Sequence, residues 1–360
     1  MSQPRRTYDG TTDEGAHVPV LRERCLDLLA PAFSAAAGAG RAPVLLDATL
    51  GLAGHADAAL ATHPQLRLVG IDRDPQALSH ARTRLQRYRE RTQLVQAVYD
   101  ELTEVLDRLG HDGVDGVLFD LGVSSLQLDT AERGFSYARD TPLDMRMDPG
   151  QELNAAEVVN NYEQRQLARV LREYGEERFA NRIAAAIVRE RRREPLTSTA
   201  RLAHLVREAI PAATRRSGGH PAKRTFQALR IEVNRELAAL EAALPAAVDA
   251  LHPGGRIVVV SYHSLEDRIT KRVLTSRARS SAPVDLPVEP PGTAPTLRLL
   301  TRGAEQPDEA EVAANPRAAS ARLRAAERIG AAERSGKGER TGRGDRSGDS
   351  DARGDRDQAD

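Results

Sequence analysis

Three acids stand where short apolar runs end: Asp47 after Val44-Leu45-Leu46, Asp72 after Leu68-Val69-Gly70-Ile71, and Asp120 after Gly116-Val117-Leu118-Phe119. Each run reads as a buried strand. Between the first two lies a small-residue loop, Ala48-Thr49-Leu50-Gly51-Leu52-Ala53-Gly54-His55, that opens a helical pattern. Such a strand–loop–helix unit holds a nucleotide-like ligand at the carboxyl edge of a parallel sheet. Asp72, 18 residues after Gly54, can accept hydrogen bonds from both hydroxyls of a ribose. Charge narrows the ligand. A dinucleotide fingerprint, G-x-G-x-x-G, aims backbone N–H groups at a pyrophosphate. Here Gly51 and Gly54 are spaced G-x-x-G, and the carboxylate of Asp47 beside the loop repels phosphate. S-adenosylmethionine, with an ammonium, a sulfonium, a ribose and no phosphate, suits these residues. A nicotinamide or flavin dinucleotide is the alternative. A plain turn that uses glycine for backbone freedom leaves the acids unexplained.

The elements that must position these acids alternate. Strands are expected near 44–48, 67–72, 92–97 and 115–120, with helical patterns between them and a first helix from about Val18 to Phe33. This is the pattern of a parallel, doubly wound α/β sheet. The next clear strand, Arg256 to Tyr262, follows Pro253-Gly254-Gly255 and lies about 135 residues after Asp120. An ordinary crossover needs a few tens of residues, so something is inserted. Leu167, Val170, Leu171 and Tyr174 share one helical face, and Phe179, Ile183 and Ile187 another. A further helix carries Phe226, Leu229, Val233, Leu237, Leu240 and Leu244 as one long stripe back to the sheet. Leu265–Thr275 reads as a helix, and 297–300 with 321–326 as a closing antiparallel pair.

The expected organisation is therefore a disordered start (1–16), a discontinuous sheet domain (17–150 and 220–328), an inserted helical subdomain (151–219) and a disordered tail (330–360). That tail is rich in Gly, Ser, Arg and Asp, with no large apolar side chain to offset ordering entropy.

Composition narrows the class further. Among 360 residues, 52 Lys and Arg balance 52 Asp and Glu, so no global field draws the chain to nucleic acid or membrane. The charge is unevenly placed, however. Residues 151–225 hold 15 Lys and Arg against 9 Asp and Glu, a net of +6. Arg189, Arg191, Arg192, Arg193, Arg215, Arg216, Lys223 and Arg224 form a candidate phosphate footprint, the alternative being a solvated helix face. The single cysteine, Cys25, excludes an intramolecular disulfide and a Cys-rich zinc site, and no H-x-x-x-H spacing suggests a catalytic metal. Without a signal-like segment or long apolar run, a soluble cytoplasmic protein is the expectation.

Longer stretches carry a family resemblance. They include His17-Val18-Pro19-Val20-Leu21, the Asp47–His55 loop, Gly70-Ile71-Asp72-Arg73-Asp74-Pro75, and Asp120-Leu121-Gly122-Val123-Ser124-Ser125-Leu126-Gln127-Leu128-Asp129. Ala131–Tyr137, Pro142–Asp148, Tyr174–Phe179, His220–Gln227, Ser261–Arg268 and Asn315–Ala318 continue the series. In these the chain resembles the bacterial ribosomal RNA small subunit methyltransferase H family, also called MraW. The resemblance implies a Rossmann-like class I S-adenosylmethionine-dependent methyltransferase sheet with an inserted all-helical subdomain. It implies methylation of the exocyclic N4 amine of a decoding-centre cytidine in 16S rRNA of the small ribosomal subunit, with no membrane or metal partner. It places cofactor contacts at Ala53, Gly54, His55, Asp72, Tyr99, Asp120 and Gln127. The family usually has Gly where this chain has Ala53, a methyl expected to require negative φ, and Pro where this chain has Leu126.

Roles follow from chemistry. Asp72 is expected to hold the ribose, and Tyr99 to pack on the adenine face or near the sulfonium, unless it is ordinary core. Asp120 is expected either to hold the donor's ammonium or to accept a hydrogen bond from the target amine. A loop carbonyl is the other candidate for that second role. His263 is a candidate proton relay, or else a buried hydrogen-bonded histidine. Ser264 reads as a helix N-cap, with Glu266 and Asp267 favoured in the first turn by the helix dipole. A methyltransferase acting on protein or small molecules, and a non-catalytic RNA-binding assembly factor, are the competing functions.

Overall fold

The structure, a computed structural model, describes residues 19–137, 140–212, 220–282, 290 and 292–330. The expectations for residues 1–16, for the tail beyond 330 and for Arg215 and Arg216 lie outside the described residues. The sheet-forming part begins with α1 (Arg22–Gly38), β1 (Val44–Asp47), α2 (Gly54–Thr62), β2 (Arg67–Asp72), α3 (Pro75–Arg84), β3 (Thr92–Gln96), α4 (Leu102–Leu109), β4 (Val114–Asp120) and the short α5 (Ser125–Asp129). Helices α6 (Ala155–Asn161), α7 (Gln164–Gly175), α8 (Ala180–Arg191), α9 (Thr199–Ala209) and α10 (Lys223–Asn234) follow. The chain returns through α11 (Glu236–Ala250), β5 (Leu251–Ser261), α12 (Ser264–Arg277), β6 (Leu297–Leu299), α13 (Glu309–Ala314) and β7 (Arg322–Arg328).

The strands order as β3-β2-β1-β4-β5-β7-β6. β1 to β5 run parallel, and β7 pairs antiparallel with both β5 and β6. This is a Rossmann-like, doubly wound sheet with an antiparallel closing pair, and its connections reverse direction between β1 and β4. Side chains alternate across it. Leu46, Val117, Phe119, Ile257 and Val259 pack with α4, α11 and α12, whereas Leu45, Leu118, Val258 and Val260 pack with α1, α2 and α3.

Three local expectations change. Helix α1 runs on past Phe33 through Pro31. Burial of Cys25, Leu28, Leu29, Ala32, Phe33 and Ala36 outweighs the hydrogen bond that proline cannot donate. The Pro253-Gly254-Gly255 run does not precede β5 but lies within it as an irregularity, where the pairing jumps from Leu251 to Arg256 and Gly254 takes φ 79°. The single long helix through Phe226 and Leu244 is two helices, broken at Arg235 with φ 52°. Phe226, Leu229 and Val233 thus join the helical core, while Leu240 and Leu244 join the sheet core. By core membership α10 goes with the helical group, and the chain passes back to the sheet at Asn234 rather than near residue 219.

Buried Asn234 clasps that crossover to the outgoing one. Its Oδ1 accepts from Met147 N at 2.8 Å, and its Nδ2 donates to the Met145 and Arg230 carbonyls, each at 2.8 Å. Arg73 Nη1 donates to the Asn234 carbonyl at 2.7 Å. Asn234→Ala strands a buried N–H and a buried carbonyl. It is expected to lower stability by about 2–4 kcal/mol in denaturant unfolding; a change below about 0.5 kcal/mol would show that the clasp contributes little.

Candidate active site

The carboxyl tips of β1, β2 and β4 open into one cleft. It sits at the reversal point of the connections, where open α/β sheets bind ligands. Backbone groups tie the tips together. Asp72 Oδ2 accepts from Gly51 N at 2.7 Å and its Oδ1 from Asp74 N at 2.8 Å. Asp120 N donates to Thr49 Oγ1 at 2.6 Å, and Asp47 Oδ1 accepts from Thr49 N at 3.2 Å. Each Asp72 oxygen keeps lone pairs for a ribose hydroxyl.

Buried acids stand at the strand tips, and Arg73 and Arg84 line the cleft beside them. Burial pushes the Asp47 carboxyl up to about 7 and the Asp72 carboxyl up to about 6, despite the hydrogen bonds each accepts. His55, only 5% exposed at its side chain, lies with Nε2 3.4 Å from Asp120 Oδ2, and neither of its ring nitrogens has a hydrogen-bond partner. Buried acids that remain raised and an imidazole without a hydrogen-bond partner are what a compact cationic ligand with an ammonium and a ribose would relieve.

Residues 14–329 match the family model of the MraW methylases. The chain belongs to the MraW methylase family. It is 71% identical to ribosomal RNA small subunit methyltransferase H of Salinispora arenicola, over 87% of this chain and 83% of that one. The counterpart of Thermobifida fusca is 64% identical, over 86% and 93%. That of Saccharopolyspora erythraea is 62% identical, over 90% and 97%.

Gly54, His55, Asp72, Tyr99, Asp120 and Gln127 all line the cleft, and Ala53 is buried beneath it. Tyr99 stands edge-on to Phe119, with ring centroids 5.7 Å apart, and its hydroxyl donates to the Glu236 carbonyl at 3.1 Å. Gln127 is committed to the protein. Its Nε2 donates to Asp74 Oδ2 at 3.1 Å and its Oε1 accepts from Ser124 N at 3.0 Å. Asp74, fully buried, also caps α3 through Gln76 N and takes Arg133 Nη2 at 2.9 Å. Ala53 adopts φ 59°, against the expected negative value. Its tight turn, with Ala53 N donating to Leu50 O at 2.7 Å, forces the left-handed region, which is allowed for alanine at a modest cost.

Two other expected residues are placed elsewhere. His263, not Ser264, caps α12, its Nδ1 facing Glu266 N at 3.4 Å and its Nε2 3.1 Å from Glu266 Oε1. The imidazole caps the helix through Nδ1 and is not among the residues lining the cleft. Ser264 instead donates to Glu176 Oε2 at 2.7 Å. Arg191 turns inward, donating to the Val159 and Tyr162 carbonyls at 2.7 Å each and closing the end of α6. Arg192, Arg193 and Lys223 are exposed, and Arg224, also exposed, donates to the Glu176 carbonyl at 2.7 Å. Three lining residues had no signal of their own in the sequence: Met147 and Glu236, brought in by the two crossovers, and Glu266, read as a dipole partner. Burial alone would raise the Glu266 carboxyl, but its contact with His263, the Arg230 charge and the Tyr262 N–H hold it below the ordinary carboxylate range.

Two outcomes follow from the cleft. Asp47 and Asp72 hold a proton more tightly folded than unfolded, so ionising them destabilises the empty protein. That penalty starts near the ordinary value of 3.8 and is complete once pH passes about 7. The unfolding midpoint of the ligand-free protein is therefore expected to fall between about pH 4 and 7, while affinity for a sulfonium donor rises as the folded carboxyls ionise, and Asp47→Asn should flatten both trends. A donor affinity independent of pH would contradict the acid cluster's role. At Gly54 an added Cβ would sit 2.3 Å from Pro19 Cγ, and Pro19 lines the cleft. Gly54→Ala is expected to weaken donor binding about tenfold or more by calorimetry, whereas Ala53→Gly should shift stability by less than about 1 kcal/mol.

Proposed function

We propose that this chain transfers a methyl group from S-adenosylmethionine to the exocyclic N4 amine of a decoding-centre cytidine in 16S rRNA of the small ribosomal subunit. The observation that carries this reading is the acid cluster at the strand tips, of which Asp72 and Asp120, the latter 23% exposed at its side chain, line the cleft. Family membership and the names of the relatives support the acceptor. Asp72 holds the ribose hydroxyls, Tyr99 flanks the adenine, and Asp47 with His55 lies beneath the amino-acid end. Bound there, the donor supplies an electrophilic methyl on a positively charged sulfur and leaves as the neutral thioether. Cytosine's amine is a weak nucleophile because its lone pair is delocalised into the ring. By accepting one N–H, Asp120 turns that lone pair toward the methyl, and the proton shed after the N–C bond forms passes to its carboxylate and on to solvent. Positioning of this kind is worth about 7–11 kcal/mol in well-oriented pairs.

The base must first leave its stack, at a cost of a few kcal/mol. In this reading Arg189, Arg192, Arg193, Lys223 and Arg224 on the helical group offset that cost through phosphate contacts, and Arg191 does not, because its guanidinium is spent internally. The test offers tritium-labelled donor in parallel to small-subunit particles, naked rRNA and total protein. Label is expected in 16S rRNA and, after digestion, in N4-methylcytidine; label confined to protein would overturn the proposal. Arg192→Gln with Arg193→Gln is expected to weaken RNA binding about tenfold at low salt and to flatten its salt dependence, with donor affinity unchanged. Equal loss of both affinities would count against this division of labour.

A further inference from the structure

Asp120 does not hold its own orientation. Its Oδ1 accepts from the Tyr262 hydroxyl at 2.8 Å, which leaves Oδ2 3.4 Å from His55 Nε2 within the cleft. Tyr262 comes from the turn after β5, 142 residues away along the chain, and it lines the same cleft. Every degree of freedom of that tyrosine is constrained. Its backbone N donates to the buried Glu266 Oε2 at 2.7 Å. Its ring lies against Gly122, whose φ is 99° and where an added Cβ would stand 3.3 Å from Tyr262 Cδ2. The residue is half-buried, and desolvation beside Asp120 pushes the phenol well above its ordinary range, so it remains a donor at any working pH.

We propose that Tyr262 is the positioning residue for the methyl-acceptor step: its hydroxyl locks one oxygen of Asp120 so that the other meets the acceptor amine. This assignment rests on the reading of Asp120 given above. A carboxylate on a single-bonded side chain otherwise rotates among several orientations, and only one presents an oxygen lone pair to an N–H held in line with the methyl. Tyr262 touches no reacting atom in this scheme and acts through Asp120. Gly122 belongs to the same device, because its φ of 99° would strain any side chain there and an added Cβ would press on the ring.

The test compares wild type, Tyr262→Phe, Asp120→Asn and the double variant on small-subunit particles, with donor affinity measured separately by calorimetry. Phenylalanine keeps the ring against Gly122 and removes only the donor. Tyr262→Phe is expected to lower kcat about ten- to a hundredfold, with donor Kd and KM within about twofold of wild type. On the Asp120→Asn background the same change should cost less than about twofold, because the two side chains act as one unit. A kcat within twofold of wild type, an equal loss on both backgrounds, or a parallel loss of donor binding would each overturn the assignment. If wild type itself leaves no label in rRNA, the reading of the acceptor falls and this assignment with it. If wild type labels rRNA and Tyr262→Phe labels it equally well, this assignment alone falls.

Discussion

Crowding of carboxylates at three adjacent strand tips is the constraint around which the rest of the structure is organised. Like charges at close range in a desolvated cleft cannot all ionise without a counter-charge. Burial lifts Asp47 and Asp72 toward neutrality, and the backbone N–H groups of Thr49, Gly51 and Asp74 compensate only in part. The empty fold therefore carries a desolvation penalty at these carboxyls, which a cationic ligand of the proposed kind would release. Stability and ligand affinity are linked with opposite signs at this site, as is common where function needs an unfavourable arrangement.

Holding such a cluster requires rigid surroundings, and buried polar junctions supply them. Asp74 joins α3, Gln127 and Arg133, and Arg133 Nη2 donates onward to the Met147 carbonyl at 2.7 Å. With Arg133 and Asp74 both nearly inaccessible, removing either partner alone would leave a buried charge unpaired. Asn234 does the equivalent for the two crossovers. Met145 and Arg235, one on each crossover, take φ of 63° and 52°. Left-handed backbone in non-glycine residues persists where neighbouring contacts over-determine it, and the Asn234 clasp provides those contacts. The cleft wall formed by Met147 and Glu236 is thus built from the segments that connect the helical group to the sheet.

Much of this was legible locally. An apolar run ending in an acid is a contiguous signal, so β1, β2 and β4 and their terminal carboxylates could be read directly, as could the small-residue loop and the oversized gap before β5. Helical periodicity placed Leu167, Val170, Leu171, Ile183 and Ile187 in a core correctly. The same periodicity misled from Phe226 to Leu244. A 3.6-residue stripe is blind to a one-residue left-handed break, and two helices serving two different cores looked like one.

What the sequence alone determined was the set of strand-end acids, the alternating α/β order and the motifs shared with a known family, because each is written within a few neighbouring residues. Only the tertiary structure decided which polar atoms meet. It turned Arg191 inward onto α6, spent His263 on a helix cap, set Ala53 in a left-handed turn, and brought Tyr262 onto Asp120 across 142 residues of chain. Those outcomes depend on which donors and acceptors are stranded when the elements pack and on who else can reach them, and that competition is settled in three dimensions.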